Sequence, residues 1–196
     1  MKFDELHKLQ RFFATMEISD AEKKKRCDFA YLLYDAIYYT FALIKVEKKV
    51  DSLGDILTYR DTLEDRITDV FEQEGIPYEE GYIPRLATEI IETTDRHPDD
   101  PYYVSQDRAL LIAQNESNTA YNHTDYETAR ANGKKYKTWI TEGDSKVREA
   151  HVEVDMVRIP INEKFRVGND EMRYPHDYLN GSAENLVNCR CTCVYE

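Results

Sequence analysis

The chain has 196 residues, of which 33% are charged and 41% hydrophobic, and its formal net charge is −12. That length holds one domain or two small ones around a real core, and the composition excludes a disordered chain. Residues 1–132 carry 16 basic and 27 acidic side chains, against 10 and 11 in residues 133–196, so the acidic part is excluded from sequence-independent wrapping of duplex DNA.

The first residues, MKFDELHKLQRFF, are charged throughout, without an h-region or a cleavage site, and no secretory signal is expected. Phe3, Leu6, Leu9, Phe12, Phe13 and Met16 follow helical spacing. Ser19 with Glu22 forms a capping box, which opens a long helix through the apolar run Phe29–Ile44 to about Lys49. That run is 16 residues long and contains Asp35, short of the roughly 20 residues a spanning helix needs. It reads as a helix buried in a bundle, with Tyr31, Tyr34, Tyr38 and Tyr39 keeping polar tips for packing against another subunit. Ser52 with Asp55 opens the next helix, which Gly75 and Pro77 stop; a shorter one covers Leu86 to Thr94. Asp99-Asp100-Pro101 is a break. Ser105 then caps a helix that runs to Ala131 and ends at Asn132-Gly133.

Beyond Gly133 the pattern shortens. Lys135–Thr141 is rich in β-formers, residues 144–154 read as a helical turn or two capped by Asp144, and VRIPI, EKFRV and CRCTCVY are strand candidates. The fold class expected is α+β: a helical N-terminal region, then a long helix leading into a small mixed α/β C-terminal unit with short strands. The boundary falls near 104/105, giving a helical region over 1–104 and a second domain over 105–196.

Two groups in the second domain carry chemistry. In a helix, Asp144, Arg148 and His151 would share one face, just after Trp139 on its strand. That grouping serves acid–base work or, more plainly, an Asp144–Arg148 pair tying down the helix cap with His151 in the core. The second group is Cys189, Cys191 and Cys193, which a strand would point to one face with Arg190 on the other. Alternate strand residues stand about 6.6 Å apart, at the upper limit for a disulfide. Arg190 on the far face and the lack of a helix N-terminus disfavour a thiolate nucleophile. The default reading is that two of the three thiols pack as small apolar residues in the core, without cofactor. A zinc site from His151, Cys189 and Cys191, with His176 an alternative histidine ligand, stays open.

The order Trp139, Asp144, Arg148, His151, Pro160, Phe165, Pro175, Asp177, then Asn188-Cys189-Arg190-Cys191, resembles the phage Mu F-like head-morphogenesis family. The preceding helix, with Ile112-Ala113 before Glu116 and Gly133 at its end, fits as well, and the resemblance covers Gln106 to Tyr195. This chain departs from it by having Val154 and Met156 where the family shows a leucine and a glycine, and Pro175-His176-Asp177 for a Pro-Gly-Asp. Cys193 extends the usual cysteine pair.

The resemblance implies a non-enzymatic minor head protein of a tailed phage or prophage. It would act in head assembly, and in DNA packaging or delivery, through contacts with portal or major capsid protein. It would be oligomeric in the particle, without a membrane span and with only transient contact with phage DNA. Its place would be the head interior or portal vertex, and the host cytoplasm during assembly. Residues 1–104 would be the docking region. Trp139, Asp144, Arg148, His151, Asn188, Cys189, Arg190 and Cys191 would form a structural motif with no catalytic member. Two alternatives stay open: a metal-dependent hydrolase or nuclease using His151, Cys189 and Cys191 with Asp144 or Glu149 as base, and a prophage-encoded effector binding a host protein.

Overall fold

The computed structural model describes residues 3–47 and 53–196. Four helices come first: α1 (Phe3–Ala14), α2 (Asp20–Glu47), α3 (Leu53–Glu74) and α4 (Tyr82–Asp95). A 3-10 turn (Pro101–Val104) leads into the long α5 (Gln106–Ala131). Then come β1 (Tyr136–Ile140), α6 (Glu149–Val152), β2 (Arg158–Pro160), β3 (Phe165–Val167), β4 (Asp170–Met172), α7 (Ala183–Leu186) and β5 (Thr192–Tyr195). The fold is α+β with a helical N-terminal region, as the sequence predicts.

The helix starts follow local chemistry. Ser19 Oγ accepts from Glu22 N at 3.2 Å, and Ser105 Oγ from Arg108 N at 3.1 Å, satisfying amides that have no intrahelical partner. The expected cap at Ser52 and the expected end of α2 near Lys49 lie outside the described residues. α4 begins four residues before the predicted Leu86, because Pro84 falls in the first turn, where its missing N–H is not needed.

By packing, the residues form two compact units, Met1–Cys27 with Gln114–Glu196, and Asp28–Ala113. In the second of these, Phe29, Leu33, Ile37 and Phe41 of α2 are fully buried with Leu63, Ile67 and Phe71 of α3 and Ile83, Ile90 and Ile91 of α4. Arg108 closes the end of α4: its guanidinium donates to Ile90 O at 3.2 Å and Thr94 Oγ1 at 2.7 Å, and to Tyr103 O. The helical span Asp20–Val46 is long and apolar enough to cross a membrane by length and composition. Half of its apolar window is buried inside the fold, and Asp35 is exposed, which marks it as a core helix.

The other unit holds a three-stranded antiparallel sheet in the order β2-β1-β5, with Trp139 opposite Cys193, and the hairpin β3-β4. Its core gathers Trp139, Val154, Phe165, Val167, Met172, Cys189 and Cys191. Tyr126 and Ala129 of α5 pack with Ile161 and Tyr174 in an adjoining cluster.

Candidate functional site

Trp139 is the centre of the site. It is fully buried on β1, packed edge-to-face on Phe165 at 5.2 Å and on the His151 ring at 5.7 Å between centroids. His151 belongs to the single-turn α6, which Arg148 starts as an extended residue. Asp144 is not on that helix. Gly143 takes a φ of +64° and the backbone turns until residue 149, so the expected common helical face of Asp144, Arg148 and His151 does not form. Nor do Asp144 and Arg148 pair. Asp144 instead receives a two-pronged bond from Arg190 at 2.7 and 2.8 Å, and the guanidinium holds its carboxyl at about 2, well below the usual range. Arg148 donates to the carbonyl of Val187.

The C-terminal cysteines divide into two sets. Strand β5 starts only at Thr192, so Cys189 and Cys191 lie in the irregular segment before it while Cys193 is in the sheet. Asn188, at φ +58°, sets the turn that delivers Cys189. Four bonds among the described residues hold this segment against α5, the first from Gln114 Nε2 to Asn188 Oδ1 at 2.6 Å. Asn188 N donates to Asn115 Oδ1 at 2.7 Å, Asn118 Nδ2 to Cys189 O at 3.1 Å and Asn122 Nδ2 to Cys191 O at 3.3 Å. Residues four apart on α5 thus reach alternate carbonyls of the segment.

Behind those asparagines lies Arg26, 1% exposed. It donates to Asn118 Oδ1 at 3.2 Å and Asn122 Oδ1 at 3.4 Å, and pairs with Glu22 and Asp125 at 3.1 Å each. Sequence reasoning missed this ladder. Its visible signal is two asparagines four apart in a long helix, where asparagine is otherwise a poor choice.

Cys189, Cys191 and His151 converge. Their Sγ, Sγ and Nδ1 atoms lie within 4.8 Å of one another, and none of the three residues is more than 3% exposed. The two thiols affect each other: Cys189 is held well below its ordinary value by the neighbouring Cys191 and by the His151 and His176 rings, whereas Cys191 is pushed up by Cys189 and by burial. The indole N–H of Trp139 has no hydrogen-bond partner among the described residues.

His176 Nε2 meets Cys189 O at 2.8 Å and its Nδ1 meets Thr119 Oγ1 at 3.4 Å, so both its nitrogens are engaged. Two further residues escaped the sequence reading. Asn185 Oδ1 faces His151 Nε2 at 3.2 Å. Glu142 takes Glu17 N at 3.0 Å with one carboxylate oxygen, while burial raises its carboxyl to about 7.

The adjoining half of the unit contains a second polar latch. Asp177 is fully buried and accepts from Arg173 N, Nε and Nη2 and from Asn180 Nδ2, all at 2.8 to 3.0 Å. Lys137, also fully buried on β1, donates at 2.6 Å to the carbonyls of Glu163 and Arg173, with burial lowering its pKa to about 8. Outside the core, Arg11, Phe12, Thr15, Lys146, Arg148, Asn188 and Arg190 line a cleft of about 440 Å³.

A Trp–His pair, a cysteine segment and two arginine–aspartate latches on a small sheet make a unit defined by internal polar ties. The family described as Phage Mu protein F like protein matches residues 58–194. The match spans most of the chain and begins well upstream of Gln106, and the chain therefore belongs to that family. It is a phage head-related protein. No curated protein and no solved structure matches the chain significantly.

Proposed function

We propose that this protein is a non-enzymatic minor component of the phage head that acts in assembly by contacting portal or major capsid protein. The observation that carries the reading, beside the family, is the closure of its most reactive cluster. His151, Cys189 and Cys191 are at most 3% exposed, whereas a hydrolytic metal centre keeps a coordination position open to substrate. Asp144, one of the two bases of the hydrolase alternative beside Glu149, is engaged by Arg190. The remaining charged motif residues serve as ties within the unit.

The acidic surface favours protein partners over DNA. Contact with phage DNA is confined to single phosphates, for which Arg11, Lys146, Arg148 and Arg190 around one cleft offer cations. The protein acts in the head interior or at the portal vertex, after assembly in the host cytoplasm.

Crosslinking a tagged chain in lysates of induced cells, followed by mass spectrometry, tests the reading. Portal or capsid protein is the expected partner. Recovery of a host protein alone would favour the effector alternative, and metal-stimulated DNA cleavage lost in His151→Ala would establish the hydrolase.

A further inference from the structure

The cluster of His151, Cys189 and Cys191 has the dimensions of a metal site. Zinc bonds of about 2.3 Å to sulfur and 2.0–2.1 Å to nitrogen, arranged tetrahedrally, place sulfur and nitrogen about 3.6 Å apart. His151 Nδ1 stands 3.4 Å from Cys191 Sγ and 3.6 Å from Cys189 Sγ. Hydrogen bonding alone accounts poorly for that pair of distances. A neutral imidazole has one acceptor nitrogen, and two thiols crowd the same one.

The surroundings fix which nitrogen that is. Asn185 Nδ2 donates to Val167 O at 3.0 Å and to Asp170 Oδ2 at 2.7 Å, so its amide orientation is set and its Oδ1 must accept. Asp170 is in turn held by Ser182 N and Oγ at 2.7 Å each. His151 Nε2 therefore carries a hydrogen toward Asn185, and in the neutral ring the Nδ1 lone pair points at the two sulfurs. A ligating histidine whose other nitrogen is tied to a fixed oxygen is the usual outer arrangement of a zinc site.

Cys189 Sγ also has a backbone donor, Cys191 N at 3.4 Å, which suits a thiolate. A pocket of about 10 Å³ adjoins the three side chains and is also lined by Glu142, whose Oε2 is buried and has no partner among the described residues. That is the space of one water.

We propose that His151 Nδ1, Cys189 Sγ and Cys191 Sγ bind one zinc ion, with a water against Glu142 completing the tetrahedron, and that this zinc, whose three protein ligands are at most 3% exposed, ties α6 to the cysteine segment and meets no substrate. The mixed thiolate–imidazole set selects zinc over magnesium or calcium, which take oxygen ligands. Cys193 lies in β5 and is no part of the site. The inference goes beyond the head-protein reading and does not depend on it.

The test uses the full chain, purified under reducing conditions and reconstituted with equimolar zinc. About one zinc per chain is expected by elemental mass spectrometry, with a lowered unfolding midpoint after chelation. Cobalt(II) in place of zinc should give tetrahedral d–d bands and a thiolate-to-cobalt charge-transfer band, a readout that needs no variant. Cys193→Ser should retain both signals. Asn185→Ala, which leaves the ligands in place, should weaken zinc binding by about 10- to 100-fold. Less than about a tenth of a zinc per chain, an unfolding midpoint indifferent to chelation, or loss of the metal in Cys193→Ser would each overturn the proposal.

Discussion

Met156 holds a φ of +59° and His176 one of +63°, in the left-handed region that costs a side-chain-bearing residue about 1–2 kcal/mol. These are the positions at which the chain departs from the glycines of the family pattern. The departure is visible in the sequence, whereas its conformational meaning needed the backbone. Met156 is 68% exposed, so its side chain contributes little packing. Met156→Gly is expected to stabilise the protein by about 1 kcal/mol, read as a higher urea midpoint at unchanged slope; an unchanged or lower midpoint would contradict this. His176→Gly would also remove the bond to Cys189 O, so relief of strain there is offset.

Lys137 shows the same limit at a buried charge. From sequence it is one strand residue among β-formers, and the carbonyls of Glu163 and Arg173 that hold it are supplied by distant turns. Its pKa falls from 10.5 to about 8 on folding, because burial disfavours the ammonium. Between those values the unfolded chain binds a proton that the folded chain has released, so stability from this group rises with pH across that window. It is complete above about 10.5 and lost as pH falls through about 8. The stability difference between wild type and Lys137→Met should therefore shift in favour of wild type from pH 8 to pH 10.5. A flat difference would show that the group does not titrate in this range.

At the scale of elements, periodicity and caps made the helices legible: Ser19 and Ser105 bond where a capping residue must. The short elements were less so. Asp144, Arg148 and His151 have helical spacing, but spacing matters only if the backbone is helical, and Gly143 with the turn behind it delays α6 to Glu149. The true partner of Asp144 is Arg190, 46 residues away, and no local rule identifies it. The convergence of His151 with Cys189 and Cys191 was legible as a question only, since it required the sheet to bring α6 and the last segment together.

The ladder from Arg26 through Asn118 and Asn122 to the Cys189 and Cys191 carbonyls joins α2, α5 and that segment. Arg26→Met should destabilise by about 3 kcal/mol, since it leaves both asparagine oxygens and two carboxylates without their cation. It should also speed labelling of Cys189 and Cys191 in the native state. Equal labelling rates in variant and wild type would mean that the ladder does not hold the cysteine segment.

At the scale of the whole molecule, α1 and the start of α2 pack with the C-terminal residues in one compact unit, whereas Asp28–Ala113 forms the other. Linear composition cannot express that grouping, because Arg190 meets Thr15 across 175 residues. What the sequence did express is charge. An acidic first two-thirds and a near-neutral remainder agree with a protein that works among other proteins inside a particle.

If this family member is a built-in part of the phage head and not a soluble enzyme, quantitative mass spectrometry of purified particles from the phage or prophage that encodes it should find the chain at a fixed, low ratio to the major capsid protein, retained after washing in high salt. Its absence from particles, while it is abundant in the same lysate, would show that it is no component of the head.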